Sequence, residues 1–230
     1  MNKFHPALSW FTTLLIPLAL LGLGVRLILL PLFIQIEYRM PYFPVDDYGF
    51  TIADRLHWAP YAFNYLVNQA DISYLGNLKF SDGQPLFNDR ELSHMHDVKG
   101  VMQGGLRIWY GCLVMLLLLG AWAWRSDCLP FYLQGLKRGG WLMVGVAVAT
   151  GSIVIIGITM DPDLFWNFFA SFHSLFFKGD SWLFAYSDTL IRLFPIRFWQ
   201  DTFMTVALIV FGCGLGLALG LKTASKNNPS

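Results

Sequence analysis

The sequence predicts an all-α membrane protein with four transmembrane helices and an extracytoplasmic, mostly helical, aromatic-rich cap. Hydrophobic residues make up 55% of the 230 positions and charged residues only 13%, whereas soluble domains carry about 25% charged residues. The mean hydropathy of +0.49 points the same way. A net charge of +1 argues against a nucleic-acid partner, because phosphate binding needs clustered lysine and arginine.

Four apolar stretches are long enough to cross the bilayer, at about 7–36, 108–124, 141–160 and 203–221. A hydrocarbon core of ~30 Å needs roughly 20 helical residues, each rising about 1.5 Å. Open strands are excluded because lipid offers no partners to unpaired backbone groups. The first stretch is expected to be retained, since it is too long for a signal peptide and no A-x-A cleavage site follows it.

The distribution of charge predicts the orientation in the membrane. The two termini and the loop between the second and third spans contain a single acid, Asp127. Their basic residues are Lys3, Arg125, Lys137, Arg138, Lys222 and Lys226. Because basic loops stay in the cytoplasm, both termini are predicted to be cytoplasmic, and segments 37–107 and 161–202 are predicted to face outward. We therefore expect one membrane domain over residues 1–230, with a cap built from these two segments.

The first outer segment contains several elements of secondary structure. Mixed apolar and aromatic positions over 50–70 fit one or two short helices, and residues 71–80 are compatible with a strand. Asn88 followed by Glu91 forms a capping-box pattern, and apolar residues at helical spacing continue to Met102. The pair at positions 104–105, Gly-Gly, is expected to separate this helix from the second span.

The second outer segment is dominated by aromatic residues. It opens with Asp-Pro-Asp at 161–163, which favours a helix start, and the helix is predicted over 164–177. Phe169, Phe172 and Phe176 lie within it, and Trp182 follows. This helix either lies in the headgroup region or forms the wall of an aromatic pocket that binds or orients a substrate, and both can hold together.

Two features of the spans have alternative interpretations. Arg26 lies in the outer half of the first span, where an unpaired charge is costly and is either functional or extended to the headgroups. Gly212, Gly216 and Gly220 recur every four residues and predict a closely packed helix face, either within this bundle or in a dimer.

Histidines are the strongest candidates for chemistry. His5 is at the cytoplasmic end and His57 is in the cap, whereas His94, His96 and His173 are on the two helices that flank the second and third spans on the outer side. Chain connectivity places both helices at similar depth, and a histidine pair suggests general acid–base catalysis. A packed, hydrogen-bonded histidine is the alternative for each one.

The surroundings of His94 leave further alternatives. Asp97 lies three residues after His94 and either orients its imidazole or pairs with Lys99 or Arg90 as a solvated charge. A metal site that includes His96 is a further possibility, although residues two apart on a helix point in different directions. We predict no metal and no other cofactor. The sequence also lacks a Gly-x-Ser-x-Gly elbow, so a covalent nucleophile is not indicated.

Two strings resemble a bacterial family of four-span membrane proteins that includes the lipoprotein intramolecular transacylase, Lit. The first is Phe-Asn-Asp-Arg-Glu-Leu-Ser-His-Met at 87–95, continued by Asp-Val-Lys at 97–99. The second is Phe-His-Ser-Leu-Phe-Phe at 172–177, followed by Asp-Ser-Trp at 180–182, Leu-Phe-Pro at 193–195 and Phe-Trp-Gln-Asp at 198–201. Only these strings are specific, although the hydropathy pattern is similar over almost the whole chain.

The resemblance implies a function. Lit moves the sn-2 acyl chain of a diacylglyceryl-cysteine lipoprotein onto the free α-amino group of the same molecule, giving a lyso-form lipoprotein. The resemblance also implies four membrane helices under an extracellular cap in the bacterial cytoplasmic membrane. The two essential histidines of the family would be His94 and His173 here. The expected partners are diacylglyceryl-modified lipoproteins and membrane lipid. Two alternatives are a non-catalytic protein whose cap binds a lipid or a protein, and a metal-dependent hydrolase using His94, His96 and His173.

Overall fold

The computed structural model describes residues 4–221, and side chains are described from Pro6 onward. Lys3, Lys222 and Lys226, on which part of the orientation argument rests, lie outside the described residues, and so does the side chain of His5.

Within this range the chain is helical, and the prediction of an all-α protein with four long apolar helices is confirmed. The helices are α1 (Phe4–Ile28), α2 (Pro31–Glu37), α3 (Ile52–Val67), α4 (Ser73–Gly76), α5 (Asp89–Arg125), α6 (Leu129–Thr159), α7 (Pro162–Ser174), α8 (Thr189–Leu193) and α9 (Ile196–Gly220). Four of them, α1, α5, α6 and α9, are long and apolar enough to cross a membrane.

The first span is shorter than the predicted stretch 7–36. Helix α1 ends at Ile28, and α2 begins at Pro31 as a separate helix of 7 residues. Proline has no backbone N–H and cannot continue a helix, but its fixed φ suits the first position of a new one. The apolar run therefore continues through a turn at 29–30, and α2 leads into the cap segment.

Other predicted boundaries also move. Helix α5 runs through positions 104–105 without a break for 37 residues, because an interior glycine costs only about 1 kcal/mol relative to alanine and does not end a helix. Helices α6 and α9 begin before the predicted stretches 141–160 and 203–221. The strand expected at 71–80 is wrong: Asp71 Oδ1 accepts the N–H of Ser73 at the start of α4.

The described chain divides into two compact units. Of the described residues, one comprises 4–25, 106–152 and 205–221, and the other comprises 26–105 and 153–204. The core of the first unit contains Ile16, Leu20, Leu116, Met143 and Val210.

Glycines allow close helix packing in the first unit. A Cβ added at Gly140 would lie 2.6 Å from the carbonyl oxygen of Gly214, so the two backbones are in contact there. By contrast, a Cβ at Gly212, Gly216 or Gly220 would meet nothing within 4 Å among the described residues. The expectation that this stripe packs within the bundle is therefore wrong. Gly214, two residues along, makes the close approach on a different face of the helix.

The second unit holds the cap segments. A capping box starts α3, since Thr51 Oγ1 accepts the N–H of Asp54 and the Asp54 carboxylate accepts the N–H of Thr51. Buried Arg55 donates to the carbonyls of Arg192 and Pro44 at 2.9 and 2.6 Å. These bonds link α3 to α8 and to the loop after α2, so the two cap segments form one packed unit.

Candidate active site

His94 is positioned by the first turns of α5. Asn88 Oδ1 accepts the N–H of Glu91 at 3.0 Å, and Glu91 Oε2 accepts the N–H of Asn88 at 2.8 Å. This reciprocal cap fixes where α5 begins, as its sequence predicts. The other oxygen of Glu91 accepts the N–H of Leu190 at 2.6 Å, so the same buried carboxylate ties α5 to α8. His94 follows one turn later and is buried.

His173 is positioned by the buried face of α7. Phe165, Phe169 and His173 are spaced four residues apart and are the buried residues of this helix. His173 Nδ1 lies 2.9 Å from the carbonyl oxygen of Phe169. A carbonyl only accepts, so Nδ1 carries the hydrogen and Nε2 has the free lone pair.

One phenylalanine contacts both imidazoles. The ring centroid of Phe177 lies 4.9 Å from that of His94 and 5.9 Å from that of His173. The structure thus brings the two predicted histidines to the same aromatic ring, as expected from the connectivity of their helices.

Further aromatic rings enclose each histidine. Phe169 and Trp182 lie 4.0 and 4.8 Å from the His173 ring, and Phe184 lies 5.3 Å from the His94 ring. Burial in these surroundings lowers the pKa of His173, and the hydrogen bond to Phe169 offsets part of this shift. His173 is therefore a neutral imidazole at neutral pH.

The aromatic residues predicted to bind or orient a substrate are divided between a buried face and an exposed face. Phe169 is buried and Trp182 is half-buried against the histidines, whereas Phe172 and Phe176 are 38% and 47% exposed. The exposed rings continue outward from the buried face. Helix α7 thus has a buried aromatic face against the histidines and exposed aromatic rings beside it, and both its place in the headgroup region and its role as a pocket wall stay predictions.

Asp97 and Arg26 are not part of this cluster. Asp97 is exposed and makes no hydrogen bond or ion pair with any described residue, so its negative charge acts on His94 without a direct bond and it does not pair with Lys99 or Arg90. Those two cations donate instead to the carbonyls of Ala70 and Asp180. Arg26 is half-buried, and no hydrogen bond or ion pair to the described residues ties it to the histidines.

His96 points away from the other two histidines. It is exposed, whereas His94 and His173 are buried. Among the described residues no group of three His, Cys, Asp or Glu side chains is placed to hold a metal ion.

Several residues near the site escaped the sequence analysis. Phe177 was counted among the aromatic residues of its helix, but nothing in its spacing indicated contact with both histidines. Glu91 was recognised as a cap, whereas its bond to Leu190 joins positions 99 residues apart. Phe184 and Arg90 also escaped the sequence analysis, since neither their residue type nor their spacing indicates a role at the site.

Comparison with known proteins decides the family. The family model described as lipoprotein intramolecular transacylase Lit matches residues 10–199. This chain belongs to the Lit family. A curated protein of Aquifex aeolicus (strain VF5), described as uncharacterized, is 27% identical over 208 residues, covering 90% of each chain. The membrane integral lipoprotein intramolecular transacylase Lit from Bacillus cereus matches with a TM-score of 0.62 over 94% of both chains at 16% identity.

The comparisons and the four apolar helices together establish the fold and the class of protein. The chain has the Lit fold and is a multi-pass membrane protein, as the sequence predicted. The Lit family is a family of acyltransferases.

Proposed function

We propose that this chain is a lipoprotein intramolecular transacylase. It moves the sn-2 acyl chain of a diacylglyceryl-cysteine lipoprotein to the α-amino group of the same molecule, and the product is a lyso-form lipoprotein. Membership in the Lit family supports the class of reaction. The observation that carries the proposal is the pair of buried imidazoles, His94 and His173, in contact with one aromatic ring.

The reaction needs proton transfers but no covalent enzyme intermediate. An α-ammonium group has a pKa of ~7.7–8.0, so a substantial share of the substrate amine is neutral at pH 7 to 8. The amine nitrogen attacks the ester carbonyl carbon, and its N–H proton must leave as the C–N bond forms. When the bond to the sn-2 oxygen breaks, that oxygen takes up a proton. One imidazole can accept the first proton and return it to the oxygen.

His173 suits the role of general base. Because its Nδ1–H donates to the carbonyl of Phe169, its Nε2 lone pair is available to the substrate amine. The aromatic rings of Phe169 and Trp182 beside it exclude water and keep the imidazole neutral, so it is ready to accept a proton. The main-chain carbonyl thus holds the imidazole in the reactive tautomer.

His94 suits the role of electrophile. Its Nδ1 is buried and has no hydrogen-bond partner among the described residues. A buried polar atom without a partner costs about 1–3 kcal/mol, which is compensated if a substrate atom completes the bond. An N–H at this position would donate to the ester carbonyl oxygen as negative charge develops on it.

Positioning supplies much of the rate enhancement. The substrate holds amine and ester in one molecule, and well-oriented intramolecular reactions reach effective molarities of ~10⁵ M or more. Phe169, Phe172, Phe176 and Trp182 would fold the acyl chain toward the amine and exclude water. The site would face the outer leaflet of the bacterial cytoplasmic membrane, where mature lipoproteins carry the diacylglyceryl group.

Mass spectrometry of N-terminal lipopeptides tests this proposal. Cells whose lipoproteins have a free α-amino group should gain the N-acylated lyso form when they express this chain. His94→Ala and His173→Ala should each lower the yield by about 10²-fold or more, because each removes a group that acts in the transition state. His96→Ala serves as the matched control and should have a smaller effect, since His96 is exposed and outside the cluster.

The proposal fails if the cysteine amine stays unacylated although the protein is inserted in the membrane at normal levels. Full activity of both His94→Ala and His173→Ala would favour the alternative of a cap that binds a lipid or a protein without catalysis.

A further inference from the structure

Both imidazoles of the candidate site are covered. His94 and His173 are 9% and 8% exposed. The rings of Phe177, Trp182 and Phe184 lie against them, and all three belong to residues 175–188, between α7 and α8. An ester must approach within about 3–3.5 Å of the reacting groups, and a diacylglyceryl chain cannot do so while these rings occupy the imidazole faces.

Residues 175–188, the lid segment, are held differently from the helices around them. They form turns, such as the bond from the N–H of Leu183 to the carbonyl of Asp180 at 3.0 Å, and most of them are exposed. Gly179 has a φ of +61°, a left-handed conformation that suits a sharp turn in the middle of the segment. The segment therefore has few buried contacts apart from its aromatic rings, which is typical of elements that open locally.

The two ends of the lid segment are anchored. The N–H of Phe177 donates to the carbonyl of His173 at 2.9 Å. At the other end, the hydroxyl of Thr189 donates to the carbonyl of Leu86, and the N–H of Leu190 donates to Glu91. The middle of the segment can therefore move without unpacking α7 or α8.

Arg90 holds the middle of the lid segment. Its Nη2 donates to the main-chain carbonyl of Asp180 at 2.6 Å, and its guanidinium lies 5.6 Å from the ring of Phe184. These two contacts flank Trp182, so one side chain secures the part of the segment that covers both imidazoles. Asn88 adds a longer bond to Asp188, at 3.2 Å. Arg90 is exposed, so water can replace the lost bond when the segment opens.

We propose that the lid segment opens to admit the diacylglyceryl group of the substrate and closes over it, and that Arg90 is the positioning residue that holds the closed state through the Asp180 carbonyl. The identity of the ligand rests on the proposed function. The closed state excludes water from the acyl transfer, and the open state admits the substrate.

This role has two consequences for kinetics. Substrate binds only to protein molecules whose lid segment is open. Weakening the contact of Arg90 with the Asp180 carbonyl, here called the latch, raises the open fraction and lowers KM. Closure excludes water during the reaction, so the same change lowers kcat and allows hydrolysis, which releases free fatty acid. A purely structural role of Arg90 would lower the amount of folded protein without lowering KM or producing fatty acid.

Hydrogen–deuterium exchange of the full chain in lipid nanodiscs tests the latch without turnover. In Arg90→Gln, the amides of residues 178–187 should exchange about fivefold faster than in the unaltered chain, the factor expected for one lost hydrogen bond. Arg90→Lys should restore part of the protection. Asp180→Ala is the matched control and should leave exchange unchanged, because Arg90 binds the main chain of Asp180 and not its carboxylate.

A synthetic diacylglyceryl lipopeptide supplies the kinetic measurement. Arg90→Gln should lower both KM and kcat and release fatty acid. Unchanged exchange in folded Arg90→Gln and Arg90→Lys would overturn the latch, and so would equal acceleration by Asp180→Ala. If the unaltered chain makes no N-acylated product, the proposed function fails, and the exchange measurement still decides whether Arg90 holds the lid segment.

Discussion

His94 and His173 share burial but differ in their hydrogen bonds. His173 has its Nδ1 committed to a carbonyl four residues earlier on the same helix, whereas Nδ1 of His94 has no partner among the described residues. The first arrangement can be traced to the sequence, because an i to i−4 bond is local to α7. The lack of a partner for Nδ1 of His94 is not local, because His94 lies on α5 and the rings around it belong to the lid segment. The division of roles between base and electrophile rests on this difference.

The pH dependence of acyl transfer should reflect two groups. Burial lowers the pKa of His173, so its protonation removes the base only below its usual value of ~6.5, while the substrate amine loses its proton at ~7.7–8.0. The logarithm of kcat/KM should therefore rise with a slope near 1 between about pH 6.5 and 7.5, and should steepen toward 2 only at lower pH.

Measurement of initial rates with the lipopeptide over pH 5 to 9 checks this prediction. His96→Ala is the control and should keep the same profile. A slope near 2 that already applies at about pH 7 would contradict a lowered pKa of His173.

At the scale of elements, a buried carboxyl on α2 pairs with a half-buried carboxylate on α9. Glu37 is 3% exposed, and burial, with a smaller contribution from Asp201, raises its pKa to about 8. Asp201 is held by Arg197 at 2.6 Å, one turn away on the same helix. Glu37 is thus protonated at neutral pH and shares its hydrogen with Asp201. Sequence reasoning placed Glu37 at the edge of the cap but gave no sign of this partner.

This pair predicts a loss of stability at alkaline pH. A carboxyl whose folded pKa is raised binds more protons in the folded state, so its contribution is present below its ordinary pKa of ~4.3 and is lost as pH rises through about 8. Between pH 6 and 9, the melting temperature of the unaltered chain should fall by several degrees more than that of Glu37→Gln. A change of about 1 kcal/mol in stability corresponds to roughly 2–4 °C for a protein of this size.

Thermal unfolding in detergent at both pH values gives the comparison. Asp97→Asn removes an exposed carboxylate and should behave like the unaltered chain. An equal loss in Glu37→Gln would show that the carboxyl pair does not titrate in this range.

Helix contact at Gly140 gives a second prediction at this scale. A Cβ there would lie 2.6 Å from the carbonyl oxygen of Gly214, and backbone atoms cannot move aside without displacing the helix. Gly140→Ala should destabilise the protein by about 1–3 kcal/mol. Gly145→Ala, on the same helix with nothing within 4 Å, should be neutral or stabilising, because alanine favours a helix by about 1 kcal/mol. Thermal unfolding should separate the two variants, and equal melting temperatures would exclude close packing at Gly140.

At the scale of the whole molecule, the distribution of charge predicts the orientation in the membrane. The basic loop between α5 and α6 is predicted to be cytoplasmic, and both cap segments are predicted to face outward. Single cysteines at Val45 and Ser126, in a chain whose Cys112, Cys128 and Cys213 are replaced, test this prediction because both positions are exposed. An impermeant maleimide should label Val45→Cys in intact cells, and Ser126→Cys only after permeabilisation. The reverse pattern would contradict the orientation and place the histidines in the cytoplasm.

The sequence by itself determined the elements that depend on local physics or on the solvent. Lipid requires long apolar helices, and residues 4–221 contain four of them. The capping pairs at Asn88 and Glu91, and the proline after Asp161, fix where α5 and α7 begin. The two histidines were identified from the positions of their helices together with a resemblance, since spacing along the chain alone did not separate a catalytic from a packed histidine.

Only the tertiary structure decided which faces meet. Contact of Phe177 with both imidazoles, the Arg90 latch and the Glu37–Asp201 pair each join residues from different helices or loops. The glycine stripe at 212–220 and the strand at 71–80 were misjudged for the same reason. A helix pattern shows that a face is apolar or small, but the rotation and docking of the helix decide what that face contacts.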